Sequence, residues 1–239
     1  MCYIAPGMPH EITGLQPTRD SIAGSSGFFR ELFRRGGTEA DEAYYRRYDS
    51  GSRENYGSGD RRSCETIVPG DLIFVSGYFG APIIGIAEEI AEQEEMDLLI
   101  LDCAIEKKDG RSIRRICMMS GEHGYRNLEY DAVKELHEAA HAGGDSVIPA
   151  HGLVVACSDG ILYDEETREL ILQHDLVIAG EGMDPDRLWK GALADSDTWH
   201  AFMHFGSEEE RRAKFDANYH AQRILFSRCR NPGQADIYG

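Results

Sequence analysis

Three groups of residues in this 239-residue chain have types and spacings that chemistry could use. Asp102 and Arg126 form the first. A carboxylate accepts hydrogen bonds from vicinal hydroxyls, and a guanidinium grips a small organic carboxylate through two parallel bonds. Spacing alone leaves plainer roles open, with Asp102 capping a helix and Arg126 on a helix surface. The second group is His137-Glu138-Ala139-Ala140-His141, which matches the helix motif of zinc hydrolases: two imidazoles on one face beside a general base. Against that metal reading, Gly143-Gly144 ends the helix at once. No third ligand stands at a familiar spacing, although Asp145 is close, so His137 and His141 are expected to be surface residues. The third group is a glycine-containing turn, Gly77-Tyr78-Phe79-Gly80, that follows an apolar stretch and leads into Pro82-Ile83-Ile84.

The elements that must position these residues alternate. Asp71–Ser76 reads as a short apolar strand, Ile84–Gln93 as a helix and Leu98–Leu101 as a second strand. Ser112–Met119 and Leu128–Ala140 read as amphipathic helices and Ser146–Ala156 as a buried strand region. Asp164–Gln173 reads as a helix and Leu176–Ala179 as a further strand, and Arg187–Lys190 could open a helix after Asp184-Pro185. Such alternation predicts an α/β fold, a central parallel sheet with helices on both faces, which binds ligands beyond the carboxyl ends of its strands. Residues 1–66 differ. They read as an extension with one short helix over Ser26–Arg35 and a Gly/Ser/Arg/Asp linker over Ser50–Ser63; the compact domain is expected over 67–230, with 231–239 as a tail.

Composition narrows the function. With 42 acidic against 25 basic residues the net charge is -17, which argues against direct nucleic-acid binding. Short apolar runs argue against a membrane span, and the first ten residues lack the pattern of a secretory leader. Six scattered cysteines read as reduced thiols, for a cytoplasmic or nuclear setting.

One ungapped stretch then carries a resemblance. Asp102, Ile105-Glu106, Gly110, Ser112-Ile113, Gly121-Glu122, Tyr125-Arg126 and Glu129 stand in the order and spacing of the shikimate kinase family. Over residues 67–226 the chain resembles, within that family, the kinase-like domain of fungal quinate repressors. The resemblance implies a P-loop NTPase-like three-layer sandwich. It also implies that Asp102 and Arg126 hold the hydroxyls and carboxylate of a shikimate-like acid. The family's further arginine in the last helix, four residues before an aromatic, corresponds to Arg211 before Phe215. Its glycine-rich stretch after the third strand falls at His151, Gly152 and Leu153, where Gly152 is the expected ligand-side glycine.

The phosphate half departs from the family. A working phosphate loop reads Gly-x-x-x-x-Gly-Lys-Ser/Thr, its amides and lysine holding phosphates and its hydroxyl holding magnesium. Here Gly77 and Gly80 remain, but Pro82, Ile83 and Ile84 stand where glycine, lysine and the hydroxyl belong. Ile83 lies 19 residues before Asp102, as the family's lysine does before its aspartate, and Ile100 replaces a second, metal-positioning aspartate. Electrostatic terms of this kind are usually the largest in catalysis. The expectation is therefore a non-catalytic domain with no cofactor. It would bind a shikimate- or quinate-like acid or a protein partner, and act as a repressor of quinate use through a transcriptional activator. Two alternatives stay open: a residual kinase with unconventional ATP contacts, and the zinc hydrolase of the His137/His141 motif.

Overall fold

A computed structural model describes residues 71–142, 148–195 and 200–229. The expected helix over Ser26–Arg35, the linker over Ser50–Ser63, the domain start near Ile67, the Gly143-Gly144 stop and the tail lie outside the described residues.

The first strand, β1 (Leu72–Gly77), is buried on both faces along most of its length, as an interior parallel strand must be. It leads through the glycine turn into α1 (Ile83–Gln93), followed by β2 (Asp97–Ile100), α2 (Leu101–Asp109) and α3 (Ile113–His141). Then come β3 (Leu153–Ala156), a short 3-10 turn (Ile161–Tyr163), α4 (Glu165–Ile171) and β4 (Asp175–Ala179). Helix α5 (Pro185–Ala194), a second 3-10 turn (Ala201–His204) and α6 (Glu208–Cys229) complete the described chain. The four strands run parallel in the order β2-β3-β1-β4, with Phe74 level with Val155 on one side and with Leu176 on the other. Helices on both faces bury two apolar layers, one around Phe74, Tyr125 and Leu136 and the other around Val75, Ile90 and Val154. The α/β sandwich expected from the alternation is the architecture found.

Local chemistry explains the boundaries that differ from the sequence expectations. The second strand stops at Ile100, not Leu101, so Asp102 sits in the first turn of α2, a helix that apolar periodicity did not reveal. Gly110 ends α2 in the left-handed conformation at φ 82°, and Ser112 caps α3 by accepting a hydrogen bond from the Arg115 amide. Glu106 reaches across this corner to accept from the Ile113 amide at 2.7 Å. The family-like Glu, Gly and Ser thus build a helix–helix corner. The two helices expected over Ser112–Met119 and Leu128–Ala140 form one element, α3, bent at Gly121, whose φ 72° and ψ 173° only glycine adopts readily. Polar residues between Gly121 and Leu128 hid that continuity.

The expected strand over Ser146–Ala156 is corrected to Leu153–Ala156. Gly152, at φ 92°, donates its amide to the Pro149 carbonyl in a turn, and only then does the ladder begin. The apolar Ile148 simulated an earlier start, but it is buried in the core from a turn.

Candidate functional site

Helix α3 brings one stripe of residues inward: Tyr125, Arg126, Glu129, Ala132, Val133 and Leu136 recur at three- and four-residue spacing and are all buried. Two of the six are charged. Their charges meet at the carboxyl end of the sheet, beneath the turn that follows β3. Arg126 pairs through Nη1 with Glu129, whose side chain has no solvent exposure, and the same nitrogen donates to Ser158 Oγ at 3.0 Å. Ser158 in turn donates to the other Glu129 oxygen at 2.6 Å, closing a triangle. Glu122 lies 3.5 Å from Nη2. Burial alone would lower the guanidinium's proton affinity, but Glu129 and the other acidic neighbours hold it above its ordinary value.

Asp102 faces this triangle from α2. Tyr125, fully buried, donates its hydroxyl to Asp102 Oδ1 at 2.5 Å. Burial first, and then the charge of Glu129, push the Asp102 carboxyl up to about 7. Burial and the same two acids drive the Tyr125 phenol well above its ordinary value, so it remains a donor. The sequence-predicted pair Asp102 and Arg126 is therefore brought together, joined through adjacent residues of α3.

A raised carboxyl value fixes the sign of a pH effect. The folded state keeps the Asp102 proton after the unfolded chain has lost it, so its contribution to stability falls between about pH 4 and pH 7. Asp102→Asn is expected to remove that slope. The variant should match the parent near pH 3.5 and exceed it by about 2 kcal/mol at pH 8, a figure reduced from the full shift for the carboxyl's partial exposure. Urea midpoints at the two pH values check this; equal gains at both would refute it.

The glycine stretch expected at His151-Gly152-Leu153 is corrected by the position of β3. Those residues lie at the amino end of the strand, where a side chain on Gly152 would meet Met96 at 2.4 Å and His151 pairs with Asp97. Gly152 does not join Asp102 and Arg126. The residues that follow β3 are Cys157, Ser158, Asp159 and Gly160. Gly160 is the position where a side chain would strike Arg126, its Cβ falling 2.0 Å from Nη2. Asp159 is buried and bonds to His200 Nε2 at 3.0 Å; burial raises its carboxyl's affinity for protons, but His200 and then Arg126 bring it below the ordinary range. The strand read from the sequence also ends at Ala156; it was the setting of the glycine stretch at 151–153, near the strand's start, that hid the post-strand residues Ser158 and Asp159.

Gln222 of α6 ties this turn to the first loop. Its Oε1 accepts from the Phe79 amide at 3.1 Å, and its Nε2 donates to the Asp159 carbonyl at 3.1 Å. The expected ligand residue Arg211 is also on α6, where Nη1 donates to the Met203 carbonyl at 3.3 Å; its buried Nε has no acceptor among the described residues.

The amides of the first loop are bonded partly within it and partly to β4 and α6. The Tyr78 amide donates to Ala179, the Phe79 amide to Gln222, the Ala81 amide to Tyr78 and the Ile83 amide to Ala81, while Pro82 has no amide hydrogen. Ile83 and Ile84 pack with Cys103 and Val177 against the apolar layer that contains buried Ile100. The Phe79 and His200 rings meet at a tilt of 53°, with centroids 4.3 Å apart. Helix α5 lies against the loop backbone to backbone: a Cβ on Gly80 would fall 2.0 Å from the Leu188 carbonyl, and one on Gly191 would fall 2.1 Å from the Gly80 carbonyl.

Comparison with known proteins agrees with this architecture. Residues 85–179 match the shikimate kinase family model, a span that begins one residue after Ile84. The bifunctional shikimate kinase/3-dehydroquinate synthase of Thermotoga maritima is 35% identical over 99 residues, 41% of this chain and 18% of that protein. The shikimate kinase of Psychromonas ingrahamii is 31% identical over 106 residues, 44% of this chain and 56% of that protein. The chain thus spans little more than half the length of these relatives at most. Among solved structures, shikimate kinase from Acinetobacter baumannii in complex with shikimate superposes with a TM-score of 0.55 at 20% identity, covering 72% of this chain and 87% of that one. Shikimate kinase from Bacteroides thetaiotaomicron gives 0.53 at 18% identity, with 66% and 82% covered. The fold is that of shikimate kinases. No helix among the described residues is long and apolar enough to cross a membrane.

Proposed function

We propose that this chain is a shikimate-kinase-like domain that does not transfer phosphoryl groups and instead binds a small hydroxylated cyclic acid as a regulatory signal. One observation carries the reading. In the loop that would cradle phosphates, the amides of Tyr78, Phe79, Ala81 and Ile83 are committed to Ala179, Gln222, Tyr78 and Ala81, and Ile83 and Ile84 pack against an apolar layer. Ile83 and Ile84 supply neither a positive charge for a polyanion nor a hydroxyl for magnesium, and desolvating a polyanion against alkyl groups is unfavourable. The family match, beginning at residue 85, leaves this loop outside.

The acid-binding half supports the other part of the proposal. Asp102 and Arg126 stand together at the carboxyl end of the sheet, and the A. baumannii relative was solved with shikimate. Shikimate or quinate is the class of ligand proposed, with Arg211 as a further candidate contact. The resemblance to fungal quinate repressors suggests the output: contact with a transcriptional activator, which the acidic surface favours over contact with DNA. A reading with protein contact alone draws on Ser158 and Asp159, whose side chains already engage Glu129 and His200.

Calorimetric titration with shikimate, quinate and magnesium-ATP tests these readings. Arg126→Lys keeps the buried positive charge but loses the planar fork that grips a carboxylate, so it separates binding from folding. Saturable heat from shikimate or quinate, weakened at least about tenfold in Arg126→Lys, is the expected outcome, given roughly 1.5–3 kcal/mol for a charged hydrogen bond. Heat from ATP would favour a residual kinase. No heat from any ligand would leave protein contact alone.

A further inference from the structure

We propose that His137, His141 and His174 form a binding site for a divalent transition-metal ion of the zinc class, one that clips the end of α3 to the α4–β4 turn. The zinc-hydrolase motif supplies only the first two residues, four apart on one face of α3. The third comes from the fold. His174 lies between α4 and β4, one residue before Asp175, and the ligand nitrogens of all three rings fall within 4.8 Å of one another.

The geometry suits three-nitrogen coordination. His137 Nδ1 and His174 Nε2 are 2.9 Å apart. Two nitrogens each bound at about 2.0–2.1 Å in a tetrahedral zinc site lie roughly 3.4 Å apart, so the pair need open by only about half an ångström to admit the ion. His141 Nδ1 sits 2.8 Å from the His137 carbonyl. An N–H donated there fixes the tautomer and leaves Nε2 as the ligand, the second-shell arrangement that orients metal-bound histidines. The rings lie 4.5, 5.2 and 5.8 Å apart between centroids, and Phe74 walls His174 on the core side at 5.7 Å. His141 is exposed, leaving a fourth position for water.

The cluster sits at the amino ends of β3 and β4, away from Asp102 and Arg126, so a structural ion is the role assigned, and the motif's Glu138, exposed on α3, needs no catalytic part. This inference stands independently of the proposed acid-binding function.

The test uses the full chain stripped with chelator and titrated with zinc, with cobalt(II) as a spectroscopic probe. Expected results are one equivalent of zinc bound, visible cobalt bands of four-coordinate nitrogen/oxygen type without thiolate charge transfer, and a zinc-dependent rise in Tm. His141→Ala, an exposed change that leaves the core intact, and His174→Gln should each weaken zinc about 100-fold or more and abolish the rise in Tm, whereas His123→Ala, exposed elsewhere on α3, should change neither. Absence of saturable zinc binding, or binding unaltered in both cluster variants, would overturn the proposal.

Discussion

Arg126→Ala is expected to destabilise the fold by about 3–5 kcal/mol, because it strips the partner from a carboxylate with no route to water. Glu129 is 0% exposed, and its charge is answered by Arg126 and by the Ser158 hydroxyl. Without the guanidinium, Glu129 must stay charged in the core or take up a proton. It would also stand beside Asp102 and Asp159, both acids. The loss should therefore lessen as pH falls. The double variant Arg126→Met/Glu129→Leu removes both charges and should recover most of the stability, since an apolar pair of similar bulk often replaces a buried ion pair without net loss. Denaturant midpoints for the three proteins make the comparison. A single variant as stable as the parent would show that Glu129 reaches solvent or another cation.

The second large effect concerns the loop. Gly80→Ala is expected to destabilise by about 2–5 kcal/mol: roughly 1–2 for a side chain in the left-handed region and 1–3 for overpacking. Gly80 has φ 89°, and its added methyl would fall 2.0 Å from the Leu188 carbonyl and 2.9 Å from the Ala192 amide. Neither neighbour is a side chain that could swing aside. Gly85, five residues on in α1, gives the contrast. Nothing lies within 4 Å of its missing Cβ, so Gly85→Ala should stabilise by about 0.5–1 kcal/mol through helix propensity. Opposite signs in two neighbouring glycines would place the constraint in the α5–loop contact. Equal small effects would mean that α5 is free to move off the loop.

The sequence made the architecture legible where patterns were local. Short apolar strands, read over 71–76 and 176–179 and found over 72–77 and 175–179, alternate with helices and imply a parallel sheet, and the Asp102-to-Glu129 spacing singled out residues that the fold brings together. Legibility failed where a boundary depended on partners distant in sequence. Leu153 enters the ladder because Asp71 accepts its amide proton, and no local pattern separates it from Ile148. The glycine stretch set at His151–Leu153 therefore lies at the amino end of β3, whereas the glycine beside Arg126 is Gly160, beyond its carboxyl end, and Ser158 and Asp159 went unrecognised with it. His174 was hidden for the same reason: a lone histidine beside a strand becomes a third ligand only when α3 and α4 pack together. Gln222 likewise acts 143 residues away from Phe79. The Ile83 and Ile84 substitutions could be read directly, but the bonding of the loop amides could not.

Equilibrium binding of magnesium-ATP to the full chain tests the central claim most directly. Working enzymes hold their substrates with KM values of about 1 µM to 1 mM. This chain is expected to show no saturable binding of magnesium-ATP up to the top of that range. A dissociation constant within it, with phosphate transferred to shikimate, would contradict the account and return Ile83 to the status of a tolerated substitution in an active kinase.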